Sequence, residues 1–138
     1  MDVTQIPFSK LINLTFKNSE QNTLTLQFKE DKYNHLGTFH AAAQFAVAEA
    51  ASGLALQQNF PHLEDSVIPV MRKSEVKYKK PARSDIHAEA NISAEEKEQF
   101  QNQLDKKGRA TISVLVKNID SHDVITMVGR FEWFVQKL

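Results

Sequence analysis

Hydrophobic and polar positions alternate with period two near the start of the chain. Ile12, Leu14 and Phe16 alternate with Asn13, Thr15 and Lys17, and Leu24, Leu26 and Phe28 alternate with Thr25, Gln27 and Lys29. Such alternation predicts two strands, each with one buried face. The polar run Asn18 to Asn22 between them has hairpin-loop character and makes the pair antiparallel. The pattern then changes to a long apolar, Ala-rich stretch that predicts one helix from about Thr38 to Asn59. Period two returns with Val76 and Tyr78 against Lys77 and Lys79, and with Ile86, Ala88, Ala90 and Ile92 against His87, Glu89 and Asn91. The charged segment Glu95 to Lys106 carries Phe100 and Leu104 at i, i+4 and is followed by Gly108, the pattern of a short surface helix with a glycine C-cap. Ala110, Ile112, Val114 and Val116, and then Ile125, Met127, Phe131, Trp133 and Val135, predict the last two strands. Gly129 within the last strand predicts a bulge or a close backbone approach. Strands joined by short loops favour antiparallel pairing, and a helix that needs burial on all sides requires a sheet that curls around it. The expected architecture is therefore α+β: a curved antiparallel sheet of five to six strands around one long central helix.

Composition narrows the field. At 138 residues the chain has the size of one domain with a core of its own, so residues 1–138 are expected to form a single unit. Lys plus Arg and Asp plus Glu both total 17, and this balance supplies no long-range field to recruit nucleic acid or an anionic membrane. With no cysteine, disulfides, thiolate nucleophiles and cysteine zinc sites are excluded, which suits a reducing, cytoplasmic location. The start of the chain, MDVTQIPFSK, lacks the continuous apolar core of a signal peptide. The apolar stretch Phe39 to Leu56 is interrupted by His40, Gln44, Glu49 and Ser52, a poor bilayer span. His35, His62, His87 and His122 stand singly, so no metal site is expected. There is also no phosphate-binding glycine loop and no G-x-S-x-G elbow.

Between Lys32 and Glu64 the only Asp, Glu, Lys or Arg is Glu49. At about 100° per residue, His40, Gln44, Glu49 and Ser52 form no single polar stripe, so the helix has no ordinary solvated face. A carboxylate in such a helix is desolvated or faces a cavity, which raises its pKa and suits it to catalysis. The alternative is a structural role, as a cap for a partner group or at a wet subunit boundary. His40 follows Gly37 and Thr38 and is expected in the first helical turn, where free N–H groups and the helix dipole favour a negative oxygen. His40 and Glu49 are separated by about 13 to 14 Å of helix axis and lie on opposite faces. They cooperate only if two antiparallel helices lie side by side across a two-fold axis, an arrangement that Ala41, Ala42, Ala43, Ala46, Ala50 and Gly53 leave room for.

At these residues the sequence resembles the hotdog-fold acyl-CoA thioesterase superfamily, especially its phenylacetate-pathway-type branch and an uncharacterised thioesterase-like subgroup. The resemblance covers most of the chain. It is carried by Asn34-His-Leu-Gly37-Thr-Phe-His40-Ala-Ala, by Glu49, and by Tyr78-Lys-Lys-Pro81-Ala-Arg83. The family spacing places an Asn or Gln six residues before a His and an acid nine residues after it, as Asn34, His40 and Glu49 stand here. The resemblance implies a hotdog fold, a homodimer or homotetramer, and hydrolysis of an acyl-CoA or acyl-carrier thioester without a cofactor. Glu49 is then general base or nucleophile, and the Ala41 N–H polarises the thioester carbonyl. His40 orients the helix start or touches the thioester, and Asn34 binds the carbonyl or positions water. The chain departs from the family pattern twice. The usual His-Gly-Gly run is His40-Ala41-Ala42, and Met71 stands where many relatives carry a water-orienting Ser or Thr. Ser74 is the nearest hydroxyl, but simple alternation puts it out of register.

Six basic residues fall within twelve positions, Arg72, Lys73, Lys77, Lys79, Lys80 and Arg83, with Glu75 the only acid among them. The patch suits the phosphates of coenzyme A, and Lys77, Lys80 and Arg83, with Gly37, form the expected substrate-binding set. The same residues also describe the solvated face of an alternating strand. Two other functions remain open at this point: a non-catalytic acyl-CoA binding or sensing module, and hydration or dehydration of an acyl thioester.

Overall fold

The computed structural model describes residues 1–20 and 22–138. The chain enters through helix α1 (Pro7–Leu11), with Pro7 at the first helical position, where its missing N–H costs nothing. Strand β1 is short (Thr15–Phe16), not the run from Ile12 that alternation predicts. Ile12 caps α1 and donates its N–H to the Phe8 carbonyl, while Asn13 takes a left-handed φ of 57°, so the chain turns before it extends. The predicted loop Asn18 to Asn22 includes Gln21, which lies outside the described residues. β1 pairs antiparallel with β2 (Leu24–Leu26).

The central helix α2 (Ala41–Asn59) begins three residues later than predicted. The preceding segment stays extended because Phe39 bridges to Tyr33 and donates its N–H to the Ala82 carbonyl, while the His40 N–H goes to the Lys32 carbonyl. β3 (Val67–Tyr78), β4 (Ile86–Asn91), helix α3 (Ala94–Lys107), β5 (Arg109–Asp120) and β6 (Ile125–Lys137) follow. α3 ends at the glycine C-cap that its sequence suggests and is capped at its start as well. Ser93 Oγ accepts the Glu96 N–H at 3.1 Å, and Gly108, at φ 72°, closes the far end. Phe100 and Leu104 are its buried pair.

All strand pairs are antiparallel, in the order β1-β2-β4-β5-β6-β3. This six-stranded sheet and its central helix form the hotdog fold that the resemblance implies. α2 packs chiefly on β4 and β5, burying Val47, Ala48, Ala51, Leu54 and Ala55 against Ile86, Val114 and Val116. Its reach to β6 is lighter, and β3 forms an open edge beyond.

β3 is much longer than the Val76–Tyr78 alternation indicates, and a bulge between Met71 and Lys73 explains why. Met71 pairs with Trp133, Lys73 with Glu132 and Ser74 with Phe131, so Arg72 is the extra residue. One inserted residue reverses the phase of everything beyond it. Met71 and Ser74 therefore both face the helix side with Trp133 and Phe131, which corrects the expectation that Ser74 is out of register. Gly129 marks a close approach and not a bulge: a Cβ there would lie 2.7 Å from Phe131 Cε2 and 3.0 Å from Val76 Cγ1.

Candidate active site

On α2, Phe45, Glu49, Gly53 and Leu56 recur one turn apart and form one stripe. Its contacts locate Glu49. The Phe45 ring lies 5.5 Å from the Phe131 ring, and Trp133 fits against the bare backbone of Gly53, where a Cβ would meet it at 3.2 Å. The Trp133 indole N–H donates to Ser52 Oγ at 2.9 Å, and Ser52 in turn donates to the Glu49 carbonyl at 2.6 Å. Glu49 thus stands over the Phe131–Trp133 stretch of β6, on the side of α2 toward the open edge. Its side chain is half-buried, and burial alone pushes its carboxyl pKa above the ordinary carboxylate range. No residue among those described holds that carboxylate by hydrogen bond or ion pair.

His40 is the N-cap of α2, not a residue of its first turn. Its backbone is extended (φ −61°, ψ 139°), and its Nδ1 accepts the Ala42 N–H at 2.9 Å, which leaves Nε2 to carry the proton. The imidazole is exposed. With Ala42 capped, the Ala41 N–H at the first helical position has no partner among the described residues, and its direction is that of an anion-binding helix start. Tyr78 on β3 donates its hydroxyl to the Ala41 carbonyl at 3.2 Å.

Asn34 organises the loop before the helix. Its Oδ1 accepts the Leu36 and Thr38 N–H groups at 2.9 and 3.0 Å, and its Nδ2 donates to Thr38 Oγ1 at 2.8 Å and the Phe39 carbonyl at 3.4 Å. The amide's four hydrogen-bonding positions are filled within the loop, which leaves none for a carbonyl or a water. Gly37 supplies the left-handed turn this loop needs, at φ 70°.

The basic residues separate. Lys80 and Arg83 are exposed on the segment that flanks the helix start, tied to it where the Phe39 N–H meets the Ala82 carbonyl at 2.9 Å. Lys77 projects from the opposite face of β3 to Tyr78 and is not gathered with them. His40, Ala41, Gly37, Asn34, Lys80 and Arg83 thus collect at one end of α2. Glu49 sits about 13 Å along the helix axis from His40, within the same protomer. No cluster of metal-ligating residues occurs among the described residues.

A buried polar group under the helix was not legible in the sequence. Thr126 Oγ1 donates to Gln44 Oε1 at 2.8 Å, and Asn118 Nδ2 donates to the Gln44 carbonyl at 2.8 Å, which ties α2 to β5 and β6. Asn118 and Thr126 are ordinary strand residues until the fold brings them to Gln44.

Residues 3–135 match the family described as a domain of unknown function, DUF4442. The chain belongs to that family. No curated protein matches the sequence. Among solved structures, PA5026 of Pseudomonas aeruginosa, named as a protein of unknown function and probable thioesterase, superposes with a TM-score of 0.83 at 20% identity, covering 99% of this chain and 91% of that one. Thioesterase HI1161 of Haemophilus influenzae gives 0.75 at 16% identity, with 99% and 87% covered. The BH2602 protein of Bacillus halodurans, crystallised with CoA, gives 0.72 at 18% identity, with 93% and 74% covered. The DUF4442 chain therefore has the fold of thioesterase-superfamily structures. Among the described residues, no helix is long and apolar enough to cross a membrane.

Proposed function

We propose that this chain is a cytoplasmic acyl-thioester hydrolase, acting on an acyl-CoA or acyl-carrier thioester as a single-domain protomer of a homodimer, or of a tetramer built from dimers. The observation that carries the reading is Glu49: an unpaired, half-buried carboxylate of raised pKa on the side of α2 that its own sheet leaves open. Neighbouring structures named as thioesterases, and one containing CoA, support the substrate class.

In this reading β3, an unpaired edge of twelve residues, pairs with its copy across a two-fold axis. The partner's helix start is thereby brought toward Glu49. Glu49 removes a proton from water, and the oxygen attacks the thioester carbon. The partner protomer's Ala41 N–H receives the oxyanion. Collapse of the tetrahedral intermediate breaks the C–S bond, and the proton held by Glu49 passes to the departing thiolate. His40 fixes the helix start, Asn34 and Gly37 fix the loop leading to it, and Lys80 and Arg83 meet CoA phosphates. The Ser74 hydroxyl, facing the helix side opposite Phe131, orients the water.

Thiol release measured over aliphatic and aromatic acyl-CoAs tests this reading. The expected result is turnover by the wild type and its loss in Glu49→Gln, with binding retained. Unchanged rates in the variant would remove Glu49 from the mechanism. Binding without turnover in the wild type would leave an acyl-CoA binding module instead.

A further inference from the structure

The first turn of α2 is held by more than its own helical bonds. Of its first four N–H groups, those of Ala43 and Gln44 reach the His40 carbonyl at 3.0 and 3.1 Å, that of Ala42 reaches His40 Nδ1, and only that of Ala41 has no partner among the described residues. The direction of the Ala41 N–H depends on the two peptide planes that meet at the Ala41 Cα, and both are pinned. The plane that carries this N–H is fixed through the His40 carbonyl. The next plane, the Ala41–Ala42 peptide, meets a side chain at each polar end: its N–H donates to His40 Nδ1 at 2.9 Å, and its carbonyl accepts the Tyr78 hydroxyl at 3.2 Å. A carbonyl at this point of a helix ordinarily accepts one donor, the N–H four residues further on, so Tyr78 supplies a second. The two restraints differ in origin. His40 is the N-cap and adjoins the peptide in sequence, whereas Tyr78 is 37 residues from Ala41 and is the last residue of β3. The edge strand is thereby tied to the helix start. Desolvation raises the pKa of the phenol above the ordinary tyrosine value, so at neutral pH the hydroxyl remains a donor.

We propose that Tyr78 is a positioning residue: by holding the Ala41 carbonyl it fixes the plane of the Ala41–Ala42 peptide, and with it the aim of the Ala41 N–H at the thioester oxygen, an inference that rests on the hydrolase reading above. The phenol acts through the backbone and takes no proton in the reaction. A hydrogen bond weakens steeply as its angle departs from linear, and an oxyanion donor is most effective when it is already aimed at the place where charge develops. A loosened Ala41 N–H therefore stabilises the transition state less, while the contacts that hold the rest of the substrate stay as they were.

Tyr78→Phe tests this, since it removes one oxygen and keeps the ring. Thiol release from an acyl-CoA is expected to show kcat lower by about three- to tenfold, the worth of one net hydrogen bond, with KM unchanged. In the substrate-free protein, the 13C resonance of the Ala41 carbonyl is expected to move upfield in the variant, because that carbonyl has lost a donor. A purely structural tie between β3 and α2 would lower the melting temperature and leave kcat as it is. Wild-type kcat in Tyr78→Phe, or an unmoved Ala41 carbonyl resonance, overturns the proposal and leaves the hydrolase reading standing. A raised KM with unchanged kcat also overturns it, since Tyr78 would then be a substrate contact. Absence of thiol release from the wild type defeats the hydrolase reading and the proposal with it.

Discussion

At the residue scale, Glu49 is an acid with no counter-charge among the described residues. Because burial raises the Glu49 pKa, the folded chain holds a proton that the unfolded chain has already released, over a window just above the ordinary carboxylate value. Stability falls as pH rises through that window, and the deficit persists above it. Glu49→Gln should therefore melt at a higher temperature than wild type at neutral pH, with the two converging near about pH 4. Thermal melts across pH check this, and identical melting at neutral pH would contradict it. In activity, the same shift should place the acid limb of kcat/KM above the ordinary carboxylate range. Ser74→Ala should lower kcat by about tenfold or more with little change in KM, as expected for a group that orients water but does not hold substrate. Glu49 was legible in the sequence because a solitary charge in an apolar helix is conspicuous. The spent amide of Asn34 was not, since only the folded loop shows where Asn34 makes its hydrogen bonds.

At the element scale, most of the sheet and helix α3 follow from periodicity and α2 from its unbroken apolar, Ala-rich stretch, while β3 shows where periodicity fails. An edge strand lacks one neighbour, so its polar and apolar residues are both exposed, and the bulge at Arg72 then breaks the period of two. The first half of β3 therefore has no alternating signature, and the concave position of Ser74 depends on a backbone irregularity that the sequence does not announce. α1 escaped for a related reason. Ile12, Leu14 and Phe16 alternate, yet the left-handed Asn13 divides them between a helix end and a strand. Gly129 is the element-scale test. A methyl group there meets Phe131 and Val76 inside the three-strand stretch β5-β6-β3, so Gly129→Ala should cost about 1–3 kcal/mol in urea unfolding. A variant as stable as wild type would show that the sheet yields at this point more readily than the packing implies.

At the scale of the whole molecule, one protomer gathers a helix start whose Ala41 N–H has no partner among the described residues at one end of α2 and the Glu49 carboxylate further along it, with too much helix between them to share one carbonyl. Two protomers related by a two-fold axis, as proposed above, would resolve this, since each helix start would then serve the other's middle. The unpaired β3 edge and the lightly covered β6 lie on the side where such a partner would dock. A dimer in sedimentation experiments is the first expectation. Complementation tests the division of labour most directly. Ala41→Pro deletes the N–H at a helix position where proline is tolerated, and the extended backbone of His40 is compatible with a following proline. Alone, Ala41→Pro and Glu49→Gln homodimers should both be inactive. Unfolded and refolded together in equal amounts, they should form heterodimers with one intact site, restoring about a quarter of wild-type activity in the mixture. Restoration would establish that base and oxyanion donor come from different subunits; folded heterodimers that stay inactive would contradict the shared site.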